Sequence, residues 1–101
     1  MIQKVTAQII SRKEIAQDTV ELVLKNDHIS AQAQPGQFVH IKVREHTLRR
    51  PISIADVNRK QQTVTLLFKI VGSGTQELAN YSVGAMLDLL GPNGTAYPIV
   101  E

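Results

Sequence analysis

Hydrophobic and polar residues alternate along most of this chain. Three runs carry the pattern most clearly: Val20, Leu22 and Leu24; Val39, Ile41 and Val43; and Val64, Leu66, Phe68 and Ile70. A period of two places alternate side chains on one face of a β-strand, so each run predicts a half-buried strand. The stretches from Gln3 to Ile15 and from Met86 to Leu90 read as further strands, and a sixth starts at Arg50.

Turn-forming residues separate these runs, at Asn26-Asp27, Gln34-Pro35-Gly36, Asn58-Arg59-Lys60 and Gly91-Pro92-Asn93-Gly94. The segment from Gln76 to Tyr81 departs from the alternation and predicts a helix of about two turns, with Ser73 or Thr75 as its N-cap. Six strands and one short helix predict an all-β domain, either a small antiparallel barrel or a sandwich. A barrel has the advantage that it leaves no exposed sheet edge.

Composition narrows the possible functions. The 101 residues suffice for one domain, and they contain no cysteine, which excludes disulfides and iron–sulfur ligation within this chain. No apolar run reaches the roughly 18–20 residues of a membrane-spanning helix. The net charge is only +2 with scattered basic residues, so we expect neither a membrane nor a nucleic-acid partner. The start of the chain lacks the features of a secretion signal, and we expect a cytoplasmic protein.

The titratable residues suggest no catalytic or metal site. His28, His40 and His46 lack the paired spacing of metal ligands. Ser53 has no base that the sequence places beside it, so we assign it no nucleophilic role.

The segment Arg50-Pro51-Ile52-Ser53 is the first candidate binding element. Arg50 offers a planar fork of donors for a phosphate, Pro51 stiffens the start of a strand, and Ser53 offers a hydroxyl. A phosphate-bearing aromatic cofactor would suit this combination. The alternative is a solvated arginine pair, Arg49 and Arg50, that precedes an edge strand.

The second candidate is Gly72-Ser73-Gly74-Thr75, where glycines and a helix N-terminus would offer free N–H groups to a pyrophosphate. It matches neither the dinucleotide fingerprint nor the P-loop, and a plain turn with a helix cap remains the alternative. The strand before it ends in Leu67-Phe68-Lys69. Phe68 belongs to the inward series, whereas Leu67 and Lys69 face the other way and would border a ligand.

Taken together, Arg50-Pro51-Ile52-Ser53, Leu67-Phe68-Lys69, Gly72–Thr75 and Leu89–Gly94 resemble, in order and spacing, the FAD-binding domain of the ferredoxin–NADP reductase superfamily. The resemblance implies a six-stranded antiparallel Greek-key barrel that binds FAD. Within the superfamily, the segments Leu48–Asp56 and Val71–Thr75 are most similar to the electron-transfer subunits of NAD-dependent dihydroorotate dehydrogenase.

The resemblance also implies residue roles. Arg50 would contact the FAD pyrophosphate, and Pro51, Ile52 and Ser53 would line the isoalloxazine, with Ser53 near its N5 edge. Leu67, Phe68 and Lys69 would run alongside the cofactor. Gly72 would lie at its phosphates, and Gly74 with Thr75 would supply main-chain and hydroxyl bonds to them. Most of the superfamily has Tyr where this chain has Ile52, so an aliphatic side chain would replace the usual aromatic one.

For the whole protein, the resemblance implies that residues 1–101 are the N-terminal FAD-binding domain of a longer subunit, whose NAD-binding and [2Fe–2S] parts lie in a missing remainder. That subunit would pass electrons between NAD(H) and an iron–sulfur centre, with a catalytic FMN-containing dihydroorotate dehydrogenase subunit as its partner. The isolated domain would not be active alone.

Two other functions remain open at this point. One is the flavin subunit of a related oxidoreductase, of the sulfide dehydrogenase or ferredoxin:NADP type. The other is a cofactor-free barrel that binds a partner protein, with Arg49 and Arg50 meeting an acidic surface.

Overall fold

The computed structural model describes residues 3–43 and 49–94. Its elements follow one another as β1 (Gln3–Ala16), β2 (Thr19–Lys25), α1 (Asp27–Gln32), β3 (Phe38–Lys42), β4 (Arg50–Asn58), β5 (Thr63–Lys69), α2 (Ser73–Ala79) and β6 (Met86–Asn93). The strands close an antiparallel barrel in the order β1-β2-β5-β4-β3-β6. Since the consecutive strands β3, β4 and β5 are neighbours and β6 returns after α2 to lie beside β3, the topology is a Greek key. The predicted barrel is confirmed, and the sandwich is excluded.

The alternation of the sequence matches the two faces of the strands. Val20, Leu22 and Leu24 of β2 are fully buried, whereas the residues between them are only half-buried. In β5, Phe68 is 7% exposed and Leu67 is 37% exposed, as the predicted inward and outward series require. Burial of these inward chains supplies most of the stability of such a small domain.

The prediction of a single helix is wrong, because α1 also forms. Asn26 lies at its N-cap, and the Asn26 side chain accepts a hydrogen bond of 2.9 Å from the N–H of Ile29. The same side chain donates to the carbonyl of Thr6 in β1 at 3.0 Å. The residues that we interpreted as a strand breaker therefore start a helix, which buries Ile29 against the core.

Helix α2 begins earlier than predicted. Its N-cap is Gly72, so the prediction of Ser73 or Thr75 as the cap is wrong; Ser73 is the first helical residue and Thr75 the third. Thr75 closes the first turn instead, because its Oγ1 accepts from the N–H of Gly72 at 3.1 Å. At the other end, Arg12 Nε donates to the carbonyl of Ala79 at 2.7 Å and thus ties α2 to β1.

Strand β4 is not an edge strand, since it pairs with β3 on one side and with β5 on the other. Pro51 lies opposite His40 in the β3 ladder. The ladder to β5 begins only at Ser53, which pairs with Leu67. Residues 50–52 therefore lack a strand neighbour on the β5 side. Pro51, which has no N–H to donate, fits such a position.

Within residues 3–43 and 49–94, no helix is long and apolar enough to span a membrane.

Candidate functional site

A pocket of about 330 Å³ opens where β4 begins without its β5 neighbour. The residues lining it come from two segments that the sequence analysis singled out: Arg50, Pro51, Ile52, Val71, Gly72, Gly74 and Thr75. The fold thus brings the Arg-Pro strand start and the glycine turn together. A second pocket of about 340 Å³ lies on the side of α2 and is lined by Ser73, Gln76, Glu77, Asn80 and Tyr81. Of the predicted binding segments, it includes only Ser73.

Arg50 lies in the first pocket with part of its guanidinium group unpaired. Its Nε is buried and has no hydrogen-bond partner among the described residues. The group packs directly on Gly74, where an added Cβ would overlap Nε and approach Cζ to 3.1 Å. A buried charged donor without an acceptor costs free energy, and an anion in the pocket would remove that cost. The arrangement therefore fits a phosphate group.

The first turn of α2 adds main-chain donors on the same side of the pocket. The N–H groups of Ser73, Gly74 and Thr75 begin the helix and have no carbonyl partner within its hydrogen-bond ladder. The Thr75 hydroxyl, in contrast, is committed to the turn, since it accepts from Val71 N at 2.9 Å and donates to Gly72 O at 3.1 Å. Thr75 can therefore offer a ligand its N–H but has no free hydroxyl proton.

Arg49 points to a different partner. Its Nη2 lies 3.1 Å from Asp88 Oδ1, and its Nη1 donates to the carbonyls of Asp88 at 3.3 Å and His40 at 3.4 Å. Only 23% of the Arg49 side chain is exposed. The two adjacent arginines thus differ: Arg49 ties β3 to β6, and Arg50 faces the pocket. The sequence alone did not separate these two roles.

The other predicted residues are divided between the two faces of β4 and β5. Ile52 is 4% exposed and Phe68 is 7% exposed, so both side chains belong to the core. Pro51, Ser53, Leu67 and Lys69 lie on the exposed outer face, and Ser53 does not line the pocket. Arg50 and Ser53 are therefore on opposite sides of the same strand.

Among the described residues, no group of three or more His, Cys, Asp or Glu side chains is arranged to hold a metal ion. His46, one of the three histidines, lies outside the described residues.

Comparison with known proteins gives a match over most of the chain. The family model described as the oxidoreductase FAD-binding domain matches residues 6–97. The electron transfer subunit of dihydroorotate dehydrogenase B (NAD(+)) from Bacillus cereus strain G9842 is 43% identical over the whole chain, and the same subunit from Bacillus mycoides strain KBAB4 is equally similar. This chain spans 40% of the length of these relatives.

Solved structures agree with this match. An NADH-dependent reduced ferredoxin-NADP oxidoreductase superposes with a TM-score of 0.83 at 30% identity, covering 91% of this chain and 34% of the other. The ferredoxin reductase of carbazole 1,9a-dioxygenase superposes with a TM-score of 0.80 at 29% identity, covering 92% of this chain and 30% of the other.

Proposed function

Since this chain belongs to the oxidoreductase FAD-binding domain family, we propose that it holds FAD with the pyrophosphate in the pocket between β4 and α2. The observation that carries this proposal is the buried Nε of Arg50, which has no partner in the described part of the chain and lies against Gly74. A pyrophosphate oxygen would supply the missing acceptor.

In this proposal, the pyrophosphate lies between Arg50 and the first turn of α2. Arg50 supplies the positive charge and a charge-assisted hydrogen bond. Gly72 and Gly74 allow main-chain N–H groups to approach, because neither carries a side chain that would cover them. Thr75 holds the turn in shape through its bonds to Val71 and Gly72 and contributes its own N–H.

We place the isoalloxazine across Pro51 onto the outer face of β4. Ser53 would then lie beside N5, with Leu67 and Lys69 of β5 along the ring. Ile52 would contribute its main chain, since its side chain faces the core, and Phe68 would support the strand from inside. The cofactor supplies the hydride and electron chemistry, whereas these residues bind and orient it.

For the whole protein, we propose an electron-transfer subunit of the dihydroorotate dehydrogenase type, acting in pyrimidine biosynthesis in the cytoplasm. Its NAD-binding and [2Fe–2S] parts would lie outside these 101 residues, and a catalytic FMN-containing subunit would be its partner. The 43% identity to the Bacillus subunits supports this type over the ferredoxin-NADP oxidoreductase, which is 30% identical. In line with this division of parts, we expect no dihydroorotate oxidation by the domain alone.

The structure argues against the alternative of a cofactor-free barrel that binds a partner protein. It required an arginine pair free to meet an acidic surface. Arg49, however, is already paired with Asp88 of the same chain.

A comparison of the two arginines tests the FAD site. Arg50→Ala should weaken FAD binding by about 1.5–3 kcal/mol, the usual range for a hydrogen bond to a charged group, which corresponds to roughly tenfold to 150-fold in Kd. Arg49→Ala is the matched control, because it removes an adjacent arginine that does not line the pocket. It should leave FAD affinity within about twofold while lowering stability.

The measurement is a titration of the purified chain with FAD, followed by flavin fluorescence and by the visible spectrum. Equal affinities of wild type and Arg50→Ala would remove Arg50 from the site. A wild-type chain that takes up no FAD would contradict the proposed function itself.

A further inference from the structure

A small group of side chains on the outer face of the barrel adjoins the proposed position of the flavin ring. We call it the His40 cluster; it consists of Phe38, His40, Pro51, Ser53 and Asn93. In the β3–β4 ladder, Phe38 lies opposite Ser53 and His40 lies opposite Pro51. Directly opposed residues point to the same side of a sheet, so the His40 imidazole lies next to the proline on which we place the ring.

One nitrogen of the His40 ring is already engaged. Asn93 Nδ2 lies 2.9 Å from His40 Nδ1, across the β3–β6 ladder. The Asn93 Oδ1 is buried and has no partner among the described residues. In the opposite orientation of the amide, Oδ1 would face His40 Nδ1 and the N–H groups would be buried without an acceptor. Buried N–H groups without a partner are rarer in proteins than buried carbonyl oxygens without one. The arrangement in which Asn93 donates to Nδ1 is therefore favoured.

This hydrogen bond decides where the ring proton lies. A neutral imidazole carries one proton, and a ring nitrogen that accepts a hydrogen bond does not hold it. With Nδ1 as acceptor, the proton is on Nε2. Among the described residues, no hydrogen bond involves Nε2 of His40, and the residue is partly exposed. Within residues 3–43 and 49–94, His40 thus has an N–H donor on the outer face without an acceptor.

Packing keeps the His40 ring in place. Phe38 meets it edge-on, with 5.5 Å between ring centroids and an interplanar angle of 71°. Gly94 also lies against the Phe38 ring and has φ +84°, and a Cβ there would come within 2.9 Å of the Phe38 Cζ. Gln37 Nε2 donates to the Gly94 carbonyl at 3.0 Å. The donor is therefore oriented before any ligand arrives.

We propose that His40 is a further cofactor-contacting residue of this domain. Its Nε2–H donates a hydrogen bond to an acceptor of the flavin ring, a carbonyl oxygen or a ring nitrogen, beside the position of Ser53. Asn93 is a positioning residue, which acts by holding the proton on Nε2. The inference rests on the proposed FAD site and assigns it a contact on the β3 side of the ring.

Two substitutions of His40 test the contact, because each preserves one nitrogen position. His40→Gln places an amide N–H near the position of Nε2, whereas His40→Asn places its amide near Nδ1, where the oxygen can accept from Asn93, and has no donor at the position of Nε2. We expect His40→Asn to raise the Kd for FAD roughly threefold to tenfold, the effect of one neutral hydrogen bond, and to shift the visible bands of the bound flavin. His40→Gln should stay within about twofold of wild type. Thermal unfolding of the FAD-free proteins checks that both variants fold.

The role of Asn93 is read from the tautomer of His40. In the chain labelled with ¹⁵N histidine, the His40 signals, identified by their loss in His40→Gln, should show the Nε2–H form in wild type. Asn93→Ala should give a mixture of the two neutral forms. A merely structural role of Asn93 would change stability but not this ratio, and an unchanged ratio overturns the positioning role.

The outcomes separate this inference from the proposed function. If wild type and both His40 variants bind FAD with the same affinity and the same spectrum, the His40 contact is wrong and the FAD site stands. Equal losses in His40→Asn and His40→Gln would overturn the donor at Nε2. If the wild-type chain takes up no FAD while remaining folded, the proposed function fails, and the inference fails with it.

Discussion

The contact between Gly74 and Arg50 leads to an unusual prediction for the substitution Gly74→Ala. In most helices this change is stabilising, because alanine loses less backbone entropy on folding than glycine, by about 0.5–1 kcal/mol. Gly74 has no positive φ that would strain an alanine. The three heavy atoms nearest to the added methyl group all belong to Arg50, namely Nε, Cζ and Cδ, and they lie on a flexible side chain. The arginine must therefore move, and the helix need not.

Displacement of Arg50 should weaken FAD binding. If the guanidinium group leaves the pocket completely, the loss approaches that of Arg50→Ala, about 1.5–3 kcal/mol, or roughly tenfold to 150-fold in Kd. Partial displacement gives a smaller loss of the same sign. We therefore expect Gly74→Ala to bind FAD more weakly while its free energy of unfolding without FAD is unchanged or higher. If Gly74→Ala instead weakened FAD binding by destabilising the whole domain, both the FAD affinity and the free energy of unfolding would fall.

A double-mutant cycle shows whether the loss passes through Arg50. Once Arg50 has been replaced by alanine, the three atoms nearest to the methyl group at residue 74 are gone, so the double variant should bind FAD as Arg50→Ala does. Gly72→Ala is the control: a Cβ there has nothing within 4 Å, and its effect should add to that of Arg50→Ala. FAD titration measures the affinity, and chemical denaturation measures the free energy of unfolding. Additive effects of Gly74→Ala and Arg50→Ala would refute the reasoning.

Two further predictions concern the flavin ring and the fold. Ser53→Ala should change FAD affinity little but shift the two-electron midpoint potential by roughly 10–30 mV, because a hydroxyl donates to the oxidised ring and accepts from the reduced one; equal potentials in the two proteins would end this role. Asn26→Ala should lower the free energy of unfolding by about 1–2 kcal/mol, because it removes the cap of α1 and the bond to Thr6; a denaturation midpoint equal to that of wild type would contradict it.

The strands could be predicted because each has one buried face. In β2 and β5 the alternation of the sequence is the alternation of burial, and no other information was needed. Helix α1 was missed because its six residues are too few to show a helical period. Its start signal, Asn26-Asp27, is also a common turn signal, and only the fold shows that the Asn26 side chain caps Ile29.

The candidate site was found in sequence as two separate segments, and neither was decisive alone. The sequence does not show that the two segments touch, because the packing of Arg50 on Gly74 depends on where the chain leaves β5 and begins α2. The different orientations of Arg49 and Arg50 were hidden for the same reason, since Asp88 comes from β6. The inward position of Ile52, in contrast, was readable, because alternation puts it on the same face of β4 as Ile54.

This position of Ile52 has a consequence for how a cofactor would lie. Arg50 serves the pocket beside α2, and Ser53 lies on the outer face, so one ligand that reaches both must cross β4. Pro51 is where this crossing is possible, since residues 50–52 have no β5 partner and the proline is exposed. FAD has the parts for such a path, with a pyrophosphate at one end of a flexible chain and a flat ring at the other. A ligand that carried only a phosphate would satisfy Arg50 and leave Pro51, Ser53 and His40 without a role.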